Sequence, residues 1–290
     1  MELLTQTLIN GILIGGIYVA ISAGFTLCFG VLHIIDFAVG EWVMIGAFTA
    51  FWASSFTHID PFLLLPVIFI FYFIIGYLFQ PSIERVVTNQ ASNALLMALA
   101  FTFGISVLLR GFALTAWGFN ERNLTSWLTG NSLSIFGNTL PADRLGAIIF
   151  AFIIIIFFTW FLQYTKLGLA IRASAERQDI AGLMGINSRN INRIIYAVHT
   201  GITCMSGAII GSIFSINANM GIQYTLFAFF VVVAGGMGSI YGAAVAGILL
   251  GIINSVVSVY VGGQYVFLIL FVILYLILLF RPKGLLGKGW

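Results

Sequence analysis

Ionisable side chains are rare in this chain, and three of them lie close together near its start. Only 7% of the 290 residues are Asp, Glu, Lys or Arg, and 61% are hydrophobic. Soluble domains carry about 25% charged residues, so the composition indicates an integral membrane protein. His33, Asp36 and Glu41 fall within the apolar sequence HIIDFAVGEW. A charge at membrane depth costs about 2.5–3.5 kcal/mol on insertion scales and usually has a function.

Two interpretations of this charged segment are open. It is a cytoplasmic turn between two membrane helices, in which case its charges stay in water. Alternatively it is a re-entrant break, in which Asp36 and Glu41 cap helix N-termini or pair with a basic side chain. The second interpretation would place His33, Asp36 and Glu41 on a pathway through the membrane.

The residues offer little support for catalysis. The chain has no GxxxxGK[ST] phosphate loop, because Gly284–Lys288 is too short and lacks the Ser or Thr that binds Mg²⁺. Cys28 and Cys204 lie in apolar runs without CxxC spacing, so we expect them buried, with neither a disulfide nor a metal. The three histidines are too scattered for a catalytic or metal cluster: His33, His58 and His199. We expect no enzyme activity, metal or cofactor in this chain.

The most polar passage, Lys166–Arg193, predicts a short helix between two membrane spans. Ser174 is a candidate N-cap, and Glu176 and Asp179 would fall in the first turns, where negative charge suits the helix dipole. Gly185 should end this helix. The next helix should begin near Ser188 with Asn187 as its cap.

The same predicted helix has one apolar edge, because Ile180, Leu183 and Met184 are spaced by three and four residues. Two interpretations carry similar weight. The segment is an ordinary basic loop that fixes topology, or it docks into the groove of a soluble partner.

Hydropathy predicts an all-α bundle of about eight or nine spans in one domain, residues 1–290. Glu41–Phe56 is short, and the glycine-broken passage Tyr224–Val261 can be counted in more than one way. The candidate spans are Thr5–Val31, Glu41–Phe56, Pro61–Phe79, Asn93–Phe112, Arg144–Tyr164, Ile194–Ile216, Tyr224–Gly236, Ile240–Val261 and Gln264–Phe280.

The basic residues predict the orientation. With 166–193 and the C-terminal tail in the cytoplasm, nine of the twelve Lys and Arg residues lie inside, which the positive-inside rule favours. An odd number of spans then puts the N-terminus outside. The inside set is Arg85, Lys166, Arg172, Arg177, Arg189, Arg193, Arg281, Lys283 and Lys288, and the outside set is Arg110, Arg122 and Arg144.

The longest outer loop is 113–143. Within it Leu133–Phe136 and Thr139–Leu140 flank Gly137-Asn138, a pair that favours a tight hairpin turn. The loop is either a plain surface connection or a landing site for an extracytoplasmic partner.

Glycines and amides are the remaining signals. Four GxxxG steps predict close helix packing: Gly11/Gly15, Gly207/Gly211, Gly238/Gly242 and Gly247/Gly251. The dense run containing Gly235, Gly236 and Gly238 should break a helix and line a cavity or be buried in protein. Six amides either line a pathway or join helices: Asn10, Asn93, Asn217, Asn219, Gln223 and Asn254.

Four motifs in order resemble the permease subunits of branched-chain amino-acid ABC importers, nearly end to end. They are Gly30–Gly46, Arg172–Asn187, Phe229–Gly242 and Arg281–Leu286. That family usually has asparagine at the position of Asp36 and histidine at that of Val39. In this respect DFAVGE is closer to the related sugar permeases.

The resemblance implies that Ala175–Gly185 is a coupling helix that contacts a cytoplasmic ATPase. Its contact residues would be Ala175, Glu176, Arg177, Asp179, Ile180, Leu183, Met184 and Gly185. It also implies a bacterial inner-membrane location, a second homologous permease, two ATPase subunits that bind ATP and Mg²⁺, and a periplasmic binding protein.

We therefore expect an importer subunit for branched-chain or other apolar amino acids. Alternatives are an ABC permease for urea or an amide, a sugar or a nucleoside, and a stand-alone carrier that couples to an ion through Asp36 or Glu41. A membrane-embedded enzyme ranks last, because the histidines form no cluster.

Overall fold

The computed structural model describes residues 2–88, 94–135 and 138–287, which form a bundle of helices with one short hairpin. The elements in chain order are α1 (Glu2–Leu32), α2 (Val39–Thr57), α3 (Pro61–Thr88), α4 (Ala94–Trp117), β1 (Ser132–Ile135), β2 (Asn138–Pro141), α5 (Ala142–Tyr164), α6 (Lys166–Glu176), α7 (Gln178–Leu183), α8 (Ser188–Ile213), α9 (Met220–Gly235), α10 (Ile240–Val257) and α11 (Val266–Phe280).

Six helical stretches of the described chain are long and apolar enough to cross a membrane. A seventh helix, α9, is apolar but shorter. The prediction of a polytopic helical membrane protein is confirmed at this level. The six stretches are Leu3–Leu32, Pro61–Val86, Leu95–Trp117, Ala142–Tyr164, Ser188–Ile213 and Ile240–Phe280.

The bundle has two distinct ends. The end that carries β1 and β2 is called the hairpin end, and the Gln6 amide of α1 reaches it by donating to the Thr139 carbonyl at 2.8 Å. The opposite end, called the tail end, carries α6, α7 and residues 281–287. There the Leu285 N–H donates to the Ala234 carbonyl at 2.8 Å, at the last turn of α9. Helix α1 therefore begins at the hairpin end, whereas residues 281–287 lie at the tail end.

The long apolar run Ile240–Phe280 is a helical hairpin. Ring contacts at 5.1 Å (Phe227–Phe267) and 4.7 Å (Phe230–Phe271) show that α9 and α11 run in the same direction. Helix α10 runs against them, and the reversal occurs at residues 258–265, where Gly262 has a φ of 125°. The prediction of two separate elements here is confirmed.

Glycine allows the helix backbones to approach closely. The predicted steps Gly11/Gly15 and Gly247/Gly251 face each other across α1 and α10, and a Cβ on Gly15 would lie 2.7 Å from the Ile248 Cα. The Gly207/Gly211 step packs in the same way against α2. Gly238/Gly242 is different, because Gly238 has a φ of 89° and lies in the turn before α10.

The segment around Ala175–Gly185 is two helices, which corrects the prediction of one. Helix α6 ends at Glu176, Arg177 adopts an extended backbone (φ −153°), and α7 begins at Gln178. Ser174 lies inside α6 and is not an N-cap; Thr165 caps α6 by accepting from the Gly168 N–H at 2.9 Å. The sequence signal was misleading because serine is also tolerated within a helix when its hydroxyl does not compete for the backbone.

Two boundaries in the same stretch are confirmed. Gly185 has a φ of 83°, and the Ile186 N–H donates back to the Ala181 carbonyl at 3.1 Å, as expected for a glycine-terminated helix. Asn187 caps α8 by accepting from the Asn190 N–H at 3.2 Å.

The predicted hairpin in the outer loop is present with a shifted turn. Strands β1 and β2 pair antiparallel with Ile135 opposite Asn138. Asn138 is therefore in a strand and not in the turn. Positions 136 and 137, between the strands, lie outside the described residues.

Replacement of Gly15 by Ala should destabilise the protein, because the new Cβ meets the Ile248 Cα and the Gly247 carbonyl, which are backbone atoms. Overpacking of this kind costs about 1–3 kcal/mol. The matched control is Gly104→Ala on α4, where an added Cβ has no described atom within 4 Å. That control should stabilise by up to ~1 kcal/mol through helix propensity. Thermal unfolding in detergent measures the stability of both variants. An equal change in melting temperature for the two would contradict the close packing of α1 on α10 at Gly15.

Candidate functional site

The chain returns into the bundle between α1 and α2. His33 has a φ of 53°, and residues 33–38 are non-helical. The Thr102 hydroxyl of α4 donates to the Ile35 carbonyl at 3.1 Å and accepts from the Phe37 N–H at 3.2 Å. These bonds satisfy backbone groups that have left the helical pattern, as a low-dielectric interior requires.

Helix α2 therefore begins deep in the bundle. The Cys204 thiol of α8 donates to the Trp42 carbonyl at 3.2 Å. Cys204 lies about 24 Å along α8 from Ser188, at about 1.5 Å per residue. Asp36 and Glu41 are buried, so their charges do not stay in water as the cytoplasmic-turn interpretation requires, and the re-entrant interpretation stays a prediction that this burial favours.

A second half-helix meets α2 at the same depth. The Thr225 hydroxyl of α9 accepts from the Gly40 N–H at 3.0 Å. A Cβ on Gly40 would overlap the Gly221 carbonyl oxygen, so only glycine fits there. The N-terminal turns of α2 and α9 thus abut inside the bundle, and α2 runs to the hairpin end while α9 runs to the tail end.

The Asp36 side chain connects this break to α2 and α8 by hydrogen bonds. One carboxylate oxygen accepts from the Ala38 N–H at 2.8 Å, at the entry to α2. The other accepts from the Tyr196 hydroxyl at 3.1 Å and lies 3.1 Å from the His199 Nε2. The side chains of Asp36 and His199 are both 0% exposed. Three hydrogen-bonded partners for one buried carboxylate tie the break to the middle of α8.

Glu41 lies between the two helix N-termini. It is 1% exposed, and a Cβ added to Gly221 would lie 3.0 Å from its carboxyl carbon. Its position in the first turn of α2 and against the first turn of α9 puts negative charge at two positive dipole ends. Neither oxygen has a hydrogen-bond partner by distance and angle within the described ranges, although Arg110 of α4 attracts the carboxylate electrostatically.

The predicted pathway residues fall into two separate places. Asp36 and Glu41 are at the break and sealed from solvent, while His33 is exposed at the end of α1. The three glycines of the dense run are at the tail end, where the Leu286 N–H donates to the Gly235 carbonyl at 3.1 Å. They form a turn packed under residues 281–287, so the glycine run and the charged break are not one site.

A polar cavity lies on the hairpin-end side of the break. It has a volume of about 360 Å³ and is called the amide cavity. Sequence patterns did not single out this grouping, although three of the six amides noted above are in its wall. The lining residues are Ile14, Ile17, Tyr18, Phe214, Ser215, Asn217, Met220, Gln223, Tyr224, Phe227, Asn254 and Ser258.

The tail end carries a free apolar surface on α7. Leu183 is 88% exposed, Met184 is 80% exposed and Ile180 is 53% exposed. Glu176 and Arg177, between α6 and α7, are also exposed, while Ala175 is half-buried. The side chain of Asp179 lies outside the part of the chain that can be described. The predicted docking edge is therefore open to a partner.

Two half-helices that begin inside a bundle, next to a polar cavity, are the architecture of a membrane transport protein. The comparison with protein families agrees with this class. The family described as branched-chain amino acid transport system / permease component matches residues 7–279. The chain belongs to that family, and is a multi-pass transport component and not a catalytic subunit.

Curated relatives cover nearly the whole chain. The permease protein LivH of a high-affinity branched-chain amino acid transport system in Salmonella typhimurium is 31% identical over 294 residues, 98% of this chain and 95% of LivH. BraD of Pseudomonas aeruginosa, named for the same kind of system, is 31% identical over 293 residues, 98% of this chain and 95% of BraD.

A sugar permease is also related at lower similarity. The ribose import permease RbsC of Haemophilus influenzae is 26% identical over 271 residues, 89% of this chain and 76% of RbsC. No solved structure matches the chain significantly.

Replacement of Asp36 by Ala should strongly destabilise the protein, because Tyr196, His199 and the Ala38 N–H would lose a buried acceptor. Removing one partner of a buried charged network costs roughly 3–5 kcal/mol. Asp36→Asn keeps an acceptor oxygen, so its loss of stability should be clearly smaller than that of Asp36→Ala. The readout is thermal unfolding and monodispersity in detergent, and equal losses in the two variants would show that the hydrogen bonds do not hold the break.

Proposed function

We propose that this chain is the membrane-spanning permease of an ATP-driven importer that carries branched-chain or other apolar amino acids into the cytoplasm. Family membership and the names of LivH and BraD support this cargo. The amide cavity also supports it, since its lining residues carry no charge to hold a strongly ionic substrate.

The observation that carries the proposal is the exposed apolar surface of α7. Leu183, the last residue of the six-residue α7, and Met184, its C-cap, are exposed between the charged end of α6 and the capped start of α8. Burying such side chains in a partner's groove is favourable at about 25 cal/mol per Å² of apolar area. We assign this surface to a cytoplasmic ATPase subunit, which binds the ATP and Mg²⁺ for which this chain has no phosphate loop.

Three further subunits complete the proposed assembly. A second, homologous permease pairs with this chain in the membrane, and a second ATPase engages that permease. A periplasmic binding protein docks at the hairpin end, where a cleft of about 690 Å³ is lined by His58, Asp60 and Trp127. Asp60 orders this cleft by accepting from the Trp127 N–H at 2.8 Å.

We place the tail end in the cytoplasm, with nine membrane crossings and the start of α1 outside. The basic residues support this orientation, because Lys and Arg are frequent in α6, at the start of α8 and in residues 281–287, all at the tail end, whereas few lie at the hairpin end. A cysteine at Thr125 should react with an impermeant maleimide on intact spheroplasts, and one at Arg177 should react only after lysis. The reverse pattern would invert the orientation.

Replacement of Leu183 by Ser should weaken association with the ATPase, because the exposed apolar contact is lost. We expect several-fold less ATPase in pull-downs of the detergent-solubilised complex. Phe119→Ser is the matched control, since Phe119 is 77% exposed but lies just after α4 at the hairpin end. Undiminished ATPase recovery with Leu183→Ser would contradict the docking assignment.

Transport itself is tested in proteoliposomes that contain both permeases, the ATPases and the binding protein. Leucine uptake should require ATP. Uptake by this chain alone, driven by a proton or sodium gradient, would instead support the ion-coupled carrier. The burial of Asp36 and Glu41 disfavours that alternative, since ions from solvent do not reach either carboxylate in this structure.

A further inference from the structure

We propose that the amide cavity is a transit site for a zwitterionic α-amino acid with an uncharged, apolar side chain. The inference rests on the proposed function and deepens it, by naming where in the permease the cargo is held and which groups hold it.

The polar wall of the cavity suits both charged groups of a zwitterion. Asn217, Gln223 and Asn254 present carboxamides, each of which has two N–H donors and an acceptor oxygen. Donors can bind the ligand carboxylate, and acceptor oxygens can bind its ammonium group. Because the ligand is neutral overall, no charged side chain is needed, and a charged one would be costly to leave unpaired after the cargo departs.

Two of these amides have unused hydrogen-bonding capacity. The Gln223 side chain makes no hydrogen bond within residues 2–88, 94–135 and 138–287. The Asn217 side-chain oxygen accepts from the Asn219 N–H at 3.0 Å, which leaves its amide nitrogen available. These groups lie at the cavity wall, where a ligand can replace water as their partner.

The third amide is held in place. Asn254 donates to the Tyr18 hydroxyl, and its oxygen accepts from the Ser258 hydroxyl at 3.2 Å. The Tyr18 ring stacks on Phe227 with centroids 4.4 Å apart. A fixed polar group loses little entropy when a ligand binds, so Asn254 supplies orientation.

The rest of the wall is apolar. Ile14, Ile17, Met220 and Phe227 face the same space as the amides. A cavity of about 360 Å³ is near the lower limit for small-molecule sites, about 300–1,000 Å³, which favours a ligand of amino-acid size. The aliphatic side chain of the ligand would bury its surface against this part of the wall.

Helix α9 links the cavity to the break. Met220, Gln223 and Tyr224 from its first turns line the cavity, and its N-cap residue Asn219 makes no side-chain cap bond. Gly221 and Thr225 of the same turns close against α2, so a bound amino acid would rest beside the closed break.

The first test uses Gln223→Leu and Asn254→Leu in proteoliposomes with the complete transporter. Gln223→Leu keeps a side chain of similar size and Asn254→Leu keeps the branched outline, and both changes remove hydrogen-bonding groups. We expect leucine uptake below saturation to fall about 10-fold or more for each variant, with ATPase subunits still bound. The matched control is Gln163→Leu, an exposed amide near the tail end of α5 that should leave uptake unchanged. Normal uptake by both cavity variants would overturn the proposal.

The second test leaves all three amides in place. A Ser258→Cys variant should react with an impermeant maleimide from the hairpin end, since the native Cys28 and Cys204 are buried. Leucine at millimolar concentration should slow this reaction several-fold, whereas glutamate should not. The labelling of Ser132→Cys, in β1, should not respond to leucine.

The outcomes separate this inference from the proposed function. Protection by ribose but not leucine would overturn the amino-acid site in favour of a sugar site, and protection by neither would overturn the site altogether. If the complete transporter moves no leucine but leucine still protects Ser258→Cys, the proposed function fails and the site stands. If leucine uptake is normal but leucine does not protect Ser258→Cys, the proposed function stands and the site in the amide cavity is wrong.

Discussion

The architecture depends on satisfying main-chain hydrogen bonds where the helical pattern is interrupted inside the bundle. Residues 33–38 would be very costly there if their N–H and C=O groups had no partners. Thr102 of α4 and Asp36 of the break itself provide partners within this stretch, and Thr225 of α9 accepts from the Gly40 N–H just after it. Because the three come from different parts of the sequence, the break also holds the surrounding helices in register.

Close backbone approach is the second constraint, and glycine meets it in two ways. Along α1 and α10, glycines let two long helices pack with their main chains in contact. At Gly40 and Gly221, they let two helix N-termini meet end to end beside Glu41. The first arrangement gives rigidity, and the second places positive dipole ends next to a buried carboxylate. The amide cavity lies beside this junction, so rigid packing and the polar site share helices α1, α9 and α10.

Much of the fold could be predicted from the sequence, because long runs of apolar residues indicate membrane helices. The span limits, the GxxxG packing of α1 on α10, the glycine stop at Gly185 and the cap at Asn187 all follow from local rules. The burial of Cys28 and Cys204 was also predicted correctly. Each of these depends on residues that are near in sequence or on composition alone.

The candidate site was less predictable, because it is made by contacts between distant residues. The partners of Asp36 lie 160 and 163 positions away, at Tyr196 and His199, and no spacing rule connects them. The amide cavity likewise joins α1 to α9 and α10. The dense glycine run ends α9 and is buried under residues 281–287, which is one of the two outcomes expected for it, but it lies apart from the charged break. Ser174 shows the opposite limit, since a residue type that suits a cap was placed inside a helix by its surroundings.

The reversal at Gly262 has a consequence for the whole polypeptide. By composition, residues 240–280 are one continuous apolar stretch. If they crossed the membrane only once, residues 281–287 would end on the side opposite to the start of α10. A backbone torsion of 125° at a residue whose side chain is one hydrogen atom folds the stretch back on itself. The turn at Gly262 therefore makes two crossings out of one. It returns residues 281–287 to the end of the bundle at which α10 begins.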